Sequence, residues 1–317
     1  MAPNPQGHGH TAAVVGSSTE LLDAALPFVH AGLVAGDLTV LCSCSPETVD
    51  LVRRELGEQV GAVEDDARIA LRGTRPPDAF HVTRKLLARA AEAPSGRLRI
   101  LGQLDFGGTP QEWREAQRYE AAANAVLADA SLTAMCLYDT RMLPDEVVES
   151  ARATHPYLLS GGVPAVNPDF RQPEAFLRAL PLAREPMEAG EPAYAVDGAF
   201  VLADLRHRLC EVLVAHVRDR DQREDLHLGV SEVAANAFRH GRPPVAARVW
   251  VDAQRIVCTI SDSGRGYDDP LAGFQPAHGS DLSRGGMGLW LARKLWDHVD
   301  LLPGERGFTV RLSATLV

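Results

Sequence analysis

Short apolar runs alternate along the first half of the chain with longer stretches whose apolar residues recur every three to four positions. The runs at residues 11–15, 38–42, 98–104 and 132–138 read as strands rich in Val, Ala, Leu and Cys, and a weaker one lies at 68–71. Helical patterns fill the intervals at 20–35 (closed by Gly36), 46–56, 78–93, 110–130 and 144–153. Strand–helix alternation of this kind predicts a mostly parallel sheet covered by helices, an α/β domain. The stretch at 184–193, REPMEAGEPA, lacks apolar periodicity and reads as an interdomain linker. After it the order changes to two long helices (the first at 200–217), two strands, a Gly-rich stretch, a helix at 289–298 and a final strand pair, an α+β pattern. The expected division is residues 1–183, a linker at 184–194, and residues 195–317.

A chain of 317 residues is comfortable for two domains, and 45% hydrophobic with 23% charged residues is ordinary for a soluble globular protein. The formal net charge of -10, with no stripe of Lys and Arg, argues against sequence-independent nucleic-acid binding. No apolar run reaches the length that spans a bilayer, and Met1 to His10 lacks the layout of a signal peptide, so a cytoplasmic location is expected. The five cysteines are few. Cys136, Cys210 and Cys258 sit singly in apolar stretches and read as buried small hydrophobes. Cys42 and Cys44 share a strand face, where core packing is favoured over a metal or redox role. His8 and His10 read as tail histidines, with metal binding the alternative.

Three elements of the second half carry candidate chemistry. In Ser231-Glu232-Val233-Ala234-Ala235-Asn236-Ala237-Phe238-Arg239-His240-Gly241, the residues Glu232, Asn236 and His240 fall along one helix face. A carboxylate and a carboxamide one turn apart can hold a hydrated Mg²⁺, though a plain polar face is an equal reading of this segment alone. In Ile260-Ser261-Asp262-Ser263-Gly264-Arg265-Gly266, Asp262 ends an apolar strand where it can accept a bond from an exocyclic amine. Gly264 and Gly266 permit a tight turn close to a ligand. In Arg284-Gly285-Gly286-Met287-Gly288-Leu289, glycines precede a helix whose N-terminal amides form a ready phosphate site, with Arg284 a further phosphate partner. Each of the last two is weak alone; the order and spacing of all three together is a strong signal.

Together the three resemble the N, G1 and G2 boxes of the GHKL ATPase superfamily over residues 195–317, which implies a Bergerat-type α/β sandwich that binds ATP and Mg²⁺. By that resemblance Glu232 is the general base and Asn236 the Mg²⁺ ligand. Asp262 accepts the adenine amine, while His240, Gly264, Gly266, Arg284, Gly285, Gly286, Met287, Gly288 and Leu289 line the nucleotide pocket. Residues 267–283 look like the ATP lid. Within the superfamily, Leu226–Glu232, the NAF-x-HG stretch and Gly288–Val299 are most similar to anti-sigma-factor serine kinases of the SpoIIAB and RsbW kind. That likeness implies phosphotransfer to Ser or Thr of a STAS-type antagonist protein, and sequestration of a sigma factor. A soluble histidine kinase is the first rival, with His207 and His216 as acceptors. A non-catalytic module in which ATP shapes a partner surface is the second. A homodimer is left open.

In the first half, Trp113, Tyr119-Glu120, Asn124, Cys136-Leu137-Tyr138-Asp139, Leu143-Pro144 and Thr154-His155-Pro156 resemble the MEDS sensory domain of RsbA-like regulators, over about residues 8–180. This implies a RecA-like, mostly parallel sheet with a sensing function. Ligands of such sheets bind at the carboxyl ends of the strands. Asp105, Tyr138, Asp139 and His155 are therefore candidates for a small-molecule pocket, against the plainer reading that they pack the core or cap loops.

Overall fold

The computed structural model describes residues 9–43, 45–264, 266, 269–277, 287–304 and 307–317. The chain forms two compact units, Met1–Ala179 and Leu180–Val317.

The first unit runs β1 (Gly9–Val15), α1 (Ser18–Ala35), β2 (Leu38–Ser43), α2 (Pro46–Leu56), β3 (Val63–Asp65), α3 (Pro76–Ala90), β4 (Leu98–Gln103), α4 (Pro110–Val126), β5 (Leu132–Asp139), α5 (Asp145–Thr154), β6 (Tyr157–Ser160), β7 (Val163–Val166) and α6 (Pro173–Ala179). Its seven-stranded sheet has the order β3-β2-β4-β5-β1-β6-β7 and is parallel up to the β6–β7 hairpin, whose pairing is antiparallel. The helix starts are chemically specified. The Ser17, Ser45 and Thr109 side chains accept from backbone amides of α1, α2 and α4, and Pro opens α2 and α4 where a missing N–H costs nothing. Gly36 ends α1 in the left-handed conformation, as expected.

Alternation along the strands sorts the interior into two layers. Ala13, Val15, Leu41, Leu101, Met135 and Leu137 pack with α1 and α2. The intervening positions, among them Cys42, Ile100, Ala134 and Cys136, border a different group that includes Tyr119, Glu120 and Ala123 of α4.

The weak strand expected at 68–71 does not form: those residues lie in turns, and β3 is Val63–Asp65 instead. Asp66 Oδ1 accepts from the Arg68 amide at 3.1 Å, which bends the chain there, and Leu71 takes a positive φ of 62°. Ile69 and Ala70 are buried as turn residues, so apolarity marked the right place and the wrong conformation.

The second unit contains β8 (Tyr194–Ala199), α7 (Leu202–His216), α8 (Arg220–Arg239), β9 (Val245–Val251), β10 (Arg255–Asp262), α9 (Gly288–Leu295), β11 (His298–Gly304) and β12 (Gly307–Thr315). Its five-stranded sheet is antiparallel throughout, in the order β11-β12-β10-β9-β8. One face carries Ala247, Val249, Ile256, Cys258, Ile260, Val310 and Leu312 into a core with Leu205, Leu209, Val230, Val233, Ala292 and Trp296 of the helices. This is the α/β sandwich.

The stretch 184–193 lies within this second unit and covers part of the opposite sheet face. Trp250 Nε1 donates to Gly190 O at 3.1 Å, and Arg311 reaches Glu188 at 2.7 Å and Asp300 at 2.6 Å. Among the described residues, no helix is long and apolar enough to cross a membrane.

Candidate functional site

The second unit holds a cavity of about 460 Å³ between α8, the end of β10, the start of α9 and β12. That volume lies in the usual range of small-molecule sites. It is lined by Asn236 and His240 of α8, Asp262 and Gly266, Gly288 and Leu289, with Phe308 and Val310 behind them. Asp269, Leu271, Ala272, Gly273, Gln275, Pro276 and Ala277 line it from one side, and Val233, Ala237, Gly241 and Ile260 add to the lining from α8, the loop after it and β10. Residues from three distant stretches of the sequence thus share one cavity.

Local geometry explains why. Asp262 Oδ1 accepts from Gly264 N at 2.7 Å and Arg242 N at 3.2 Å, which ties the end of β10 to the loop after α8. Those two bonds hold one carboxylate oxygen and leave Oδ2 for a donor in the cavity. At the cavity end, Gly288 lets α9 approach α8: a Cβ there would lie 2.6 Å from Asn236 Nδ2. Gly266 needs glycine on two counts, a φ of +83° and a Cβ site 2.6 Å from Phe308.

Arg293 fixes the segment that carries Ala272 and Phe274. It is buried, donates to Ala272 O at 2.9 Å and Val299 O at 3.2 Å, and stacks 4.4 Å over the Phe274 ring. Sequence reasoning passed over Arg293, Phe308 and Val310, because an arginine in a helix and apolar residues in a strand carry no signal of a ligand.

Glu232 lies on α8 one turn before Asn236 but outside the cavity lining, with its carboxylate 3.7 Å from Arg206 Nη2. Gly264 and Met287 adjoin lining residues without lining the cavity themselves. Arg284, Gly285 and Gly286, and residues 267, 268 and 278–283 of the expected lid, lie outside the described residues. His207 and His216 are exposed on α7, and His207 Nε2 sits 3.2 Å from Glu211.

The candidates in the first unit separate. Tyr138 and His155 come together, buried, with their rings edge to face at 5.6 Å. Asp139, the next residue on β5, points to the other side of the sheet, as strand alternation requires. There Arg141 clasps it through Nε at 2.9 Å and Nη2 at 2.6 Å. Those hydrogen bonds hold the Asp139 carboxyl below its ordinary range against the opposing effect of burial. Asp105 is exposed, with Oδ1 accepting from Gly107 N at 3.0 Å.

His10 is a correction: it belongs to β1, is 3% exposed, and sits beside Glu120 at 3.1 Å. A histidine near a chain end reads as a tail only if the next strand is taken to begin after it. Cys42, Cys136 and Cys258 are buried, the first two with Tyr119 and Tyr138 in a layer where burial pushes every thiol and phenol up. Cys44 lies outside the described residues.

Two family models match the chain. Residues 9–156 match the methanogen/methylotroph DcmR sensory domain, MEDS, and residues 200–314 match the histidine kinase-like ATPase domain. No curated protein matches the chain. The chain thus joins a MEDS sensory domain to an ATPase domain of the histidine kinase-like type, a family that implies ATP binding, and it has the make-up of a regulator with a sensory part and a kinase-like part.

Proposed function

We propose that this protein is an ATP- and Mg²⁺-dependent serine/threonine kinase and anti-sigma factor governed by its MEDS domain. The observation that supports the ATP site is the convergence of Asn236, Asp262, Gly266 and Gly288 on one cavity of about 460 Å³. The residues suit the nucleotide: a carboxylate end for the adenine amine, a carboxamide for the metal, and a glycine helix start packed against that carboxamide, where a side chain would displace it.

Bound Mg·ATP would supply the γ-phosphoryl group. Asn236 would hold the ion, and Asp262 Oδ2 would fix the purine. Glu232 would take the proton from a partner's Ser or Thr hydroxyl as its oxygen bonds to phosphorus and ADP departs. Glu232 Oε1 lies 3.7 Å from Arg206 Nη2, and both side chains are partly exposed, so a partner could reach the carboxylate. The same contact also suits the non-catalytic rival, since Glu232 is outside the cavity lining. The proposed partners, a STAS-type antagonist and a sigma factor, follow from the likeness to anti-sigma kinases.

The test is a pull-down with the full chain and Mg·ATP, followed by mass spectrometry of the captured protein. Phosphoserine or phosphothreonine on the partner is expected. Glu232→Ala is expected to abolish transfer while nucleotide and partner binding survive. A phosphohistidine on this chain alone refutes the serine kinase; transfer unchanged in Glu232→Ala refutes the base.

A further inference from the structure

Away from the nucleotide site, four side chains from four segments of the MEDS domain meet in its interior. They are His10 of β1, Glu120 of α4, Cys136 of β5 and His155, which follows α5. One nitrogen, oxygen or sulfur atom from each lies within 4.8 Å of the other three, and all four residues are buried. The individual contacts are His10 Nε2 to Glu120 Oε2 at 3.1 Å, Cys136 Sγ to His10 Nε2 at 3.3 Å, His155 Nε2 to Glu120 Oε2 at 3.5 Å, and Cys136 Sγ to Glu120 Oε2 at 3.8 Å.

We propose that His10 Nε2, His155 Nε2, Glu120 Oε2 and Cys136 Sγ bind one first-row divalent transition ion, Zn²⁺ foremost. The spacing fits. Metal–ligand bonds of about 2.0–2.3 Å around a tetrahedral ion give ligand–ligand edges of about 3.3–3.6 Å. The four separations given above scatter about that range by a few tenths of an ångström, and the other two lie within 4.8 Å. The donor set selects the metal: two imidazoles, one sulfur and one carboxylate suit Zn²⁺ and its neighbours, whereas Ca²⁺ and Mg²⁺ take oxygen shells.

The surrounding hydrogen bonds orient the imidazoles in the manner of a metal site. His10 Nδ1 faces Asn124 Oδ1 at 3.0 Å. The amide of Asn124 cannot be reversed, because Nδ2 donates to the carbonyls of Thr154 at 2.8 Å and Glu120 at 3.2 Å. His155 Nδ1 faces Ala151 O at 3.1 Å and Thr154 Oγ1 at 3.0 Å, so a proton on Nδ1 has an acceptor. With the proton on Nδ1, each ring presents the lone pair of Nε2 toward Glu120 Oε2, the orientation in which an imidazole ligates a metal, and a divalent ion there would draw all four donors at once.

Tyr138 OH completes the shell at 3.4 Å from Glu120 Oε1. A cavity of about 50 Å³ reaches His10, Glu120 and Cys136, room for a water-sized ligand on that side of the ion.

The test needs no assay of the ATPase half. The full chain, purified with a tag that binds no metal and dialysed, is analysed for all first-row metals by plasma mass spectrometry. About one equivalent per chain is expected, lost in Glu120→Gln and His155→Ala. The stripped protein is then reconstituted with Co²⁺. Intense visible bands of tetrahedral coordination and a near-ultraviolet thiolate-to-cobalt band are expected. Cys136→Ser is expected to lose the second and keep the first, and Cys42→Ser, whose sulfur borders the small cavity, to keep both. Folded wild-type protein that carries no stoichiometric metal and gives no cobalt spectrum overturns the proposal. So does a charge-transfer band that survives in Cys136→Ser.

Discussion

Replacing Gly288 by alanine separates the nucleotide cavity from the fold that carries it. The new Cβ would lie 2.6 Å from Asn236 Nδ2 and 3.2 Å from its Oδ1 and Cγ, where ordinary contact begins at 3.4 Å. The amide must therefore withdraw by about 0.8 Å to reach normal van der Waals separation. The fold tolerates this, because what moves is the end of a flexible side chain, and alanine in place of glycine favours a helix by up to about 1 kcal/mol. The ligand does not. A hydrogen bond or ligation at a charged group is worth about 1.5–3 kcal/mol, and a displacement near 1 Å forfeits most of it, so Kd for Mg·ATP is expected to rise about 10–100-fold. Calorimetric titration reads the affinity, and the thermal midpoint without nucleotide, expected equal or higher, reads the fold. The cause is isolated by a cycle with Asn236→Ala: once the carboxamide is gone, adding Gly288→Ala should weaken binding little further. An unchanged Kd in Gly288→Ala, or full additivity in the double variant, refutes the reasoning.

Asp262→Asn keeps an oxygen for Gly264 N and Arg242 N but offers the purine a donor instead of an acceptor; stability should hold while calorimetry shows nucleotide affinity reduced about 10-fold or more. Arg311→Ala removes the guanidinium from Asp300, 1% exposed, and should cost about 3–5 kcal/mol in urea unfolding, most of it recovered by combining Arg311→Met with Asp300→Leu. A loss below about 1 kcal/mol would mean that the pair is not buried in solution. Because the Asp139 carboxyl is depressed in the folded state by Arg141, its stabilisation is complete above about pH 4 and is lost as the pH falls further through the folded value. The urea midpoint of Asp139→Asn should accordingly fall less than that of wild type on acidification below pH about 4, and parallel curves would dismiss the Arg141 clasp as a source of stability.

What the sequence disclosed followed local chemistry. The helix at 46–56 was legible to the residue because Ser45 caps it, Pro46 opens it and Thr48, Val52 and Leu56 repeat along its buried face. The face shared by Asn236 and His240 was legible for the same reason, since helical spacing alone aligns them. Strands on the margins were not. The strand Tyr194–Ala199 includes Asp197 and Gly198 and exposes alternate residues, so it lacks an apolar run. The hairpin Tyr157–Val166 turns on Gly161 and Gly162, both at positive φ, and its strands are only four residues each. The stretch at 184–193 reads as linker by composition, because Glu185 and Glu188 are polar, and the arginines that draw them onto the sheet, Arg255 and Arg311, lie far along the chain. The cluster of His10, Glu120, Cys136 and His155 had no spacing to betray it, being assembled wholly by tertiary structure.

Strand β5 ties that cluster to the surface of its unit. Cys136 and Asp139 stand on it three residues apart, about 10 Å along a rod laced to β1 on one side and β4 on the other. Their side chains leave it in opposite directions. At the far end Arg141 grips Asp139 and also reaches Ser18 Oγ at 3.1 Å, at the head of α1. One continuous hydrogen-bonded strand thus joins the interior at Cys136 to the exposed Arg141, so that a shift of β5 along its own axis would displace both ends together.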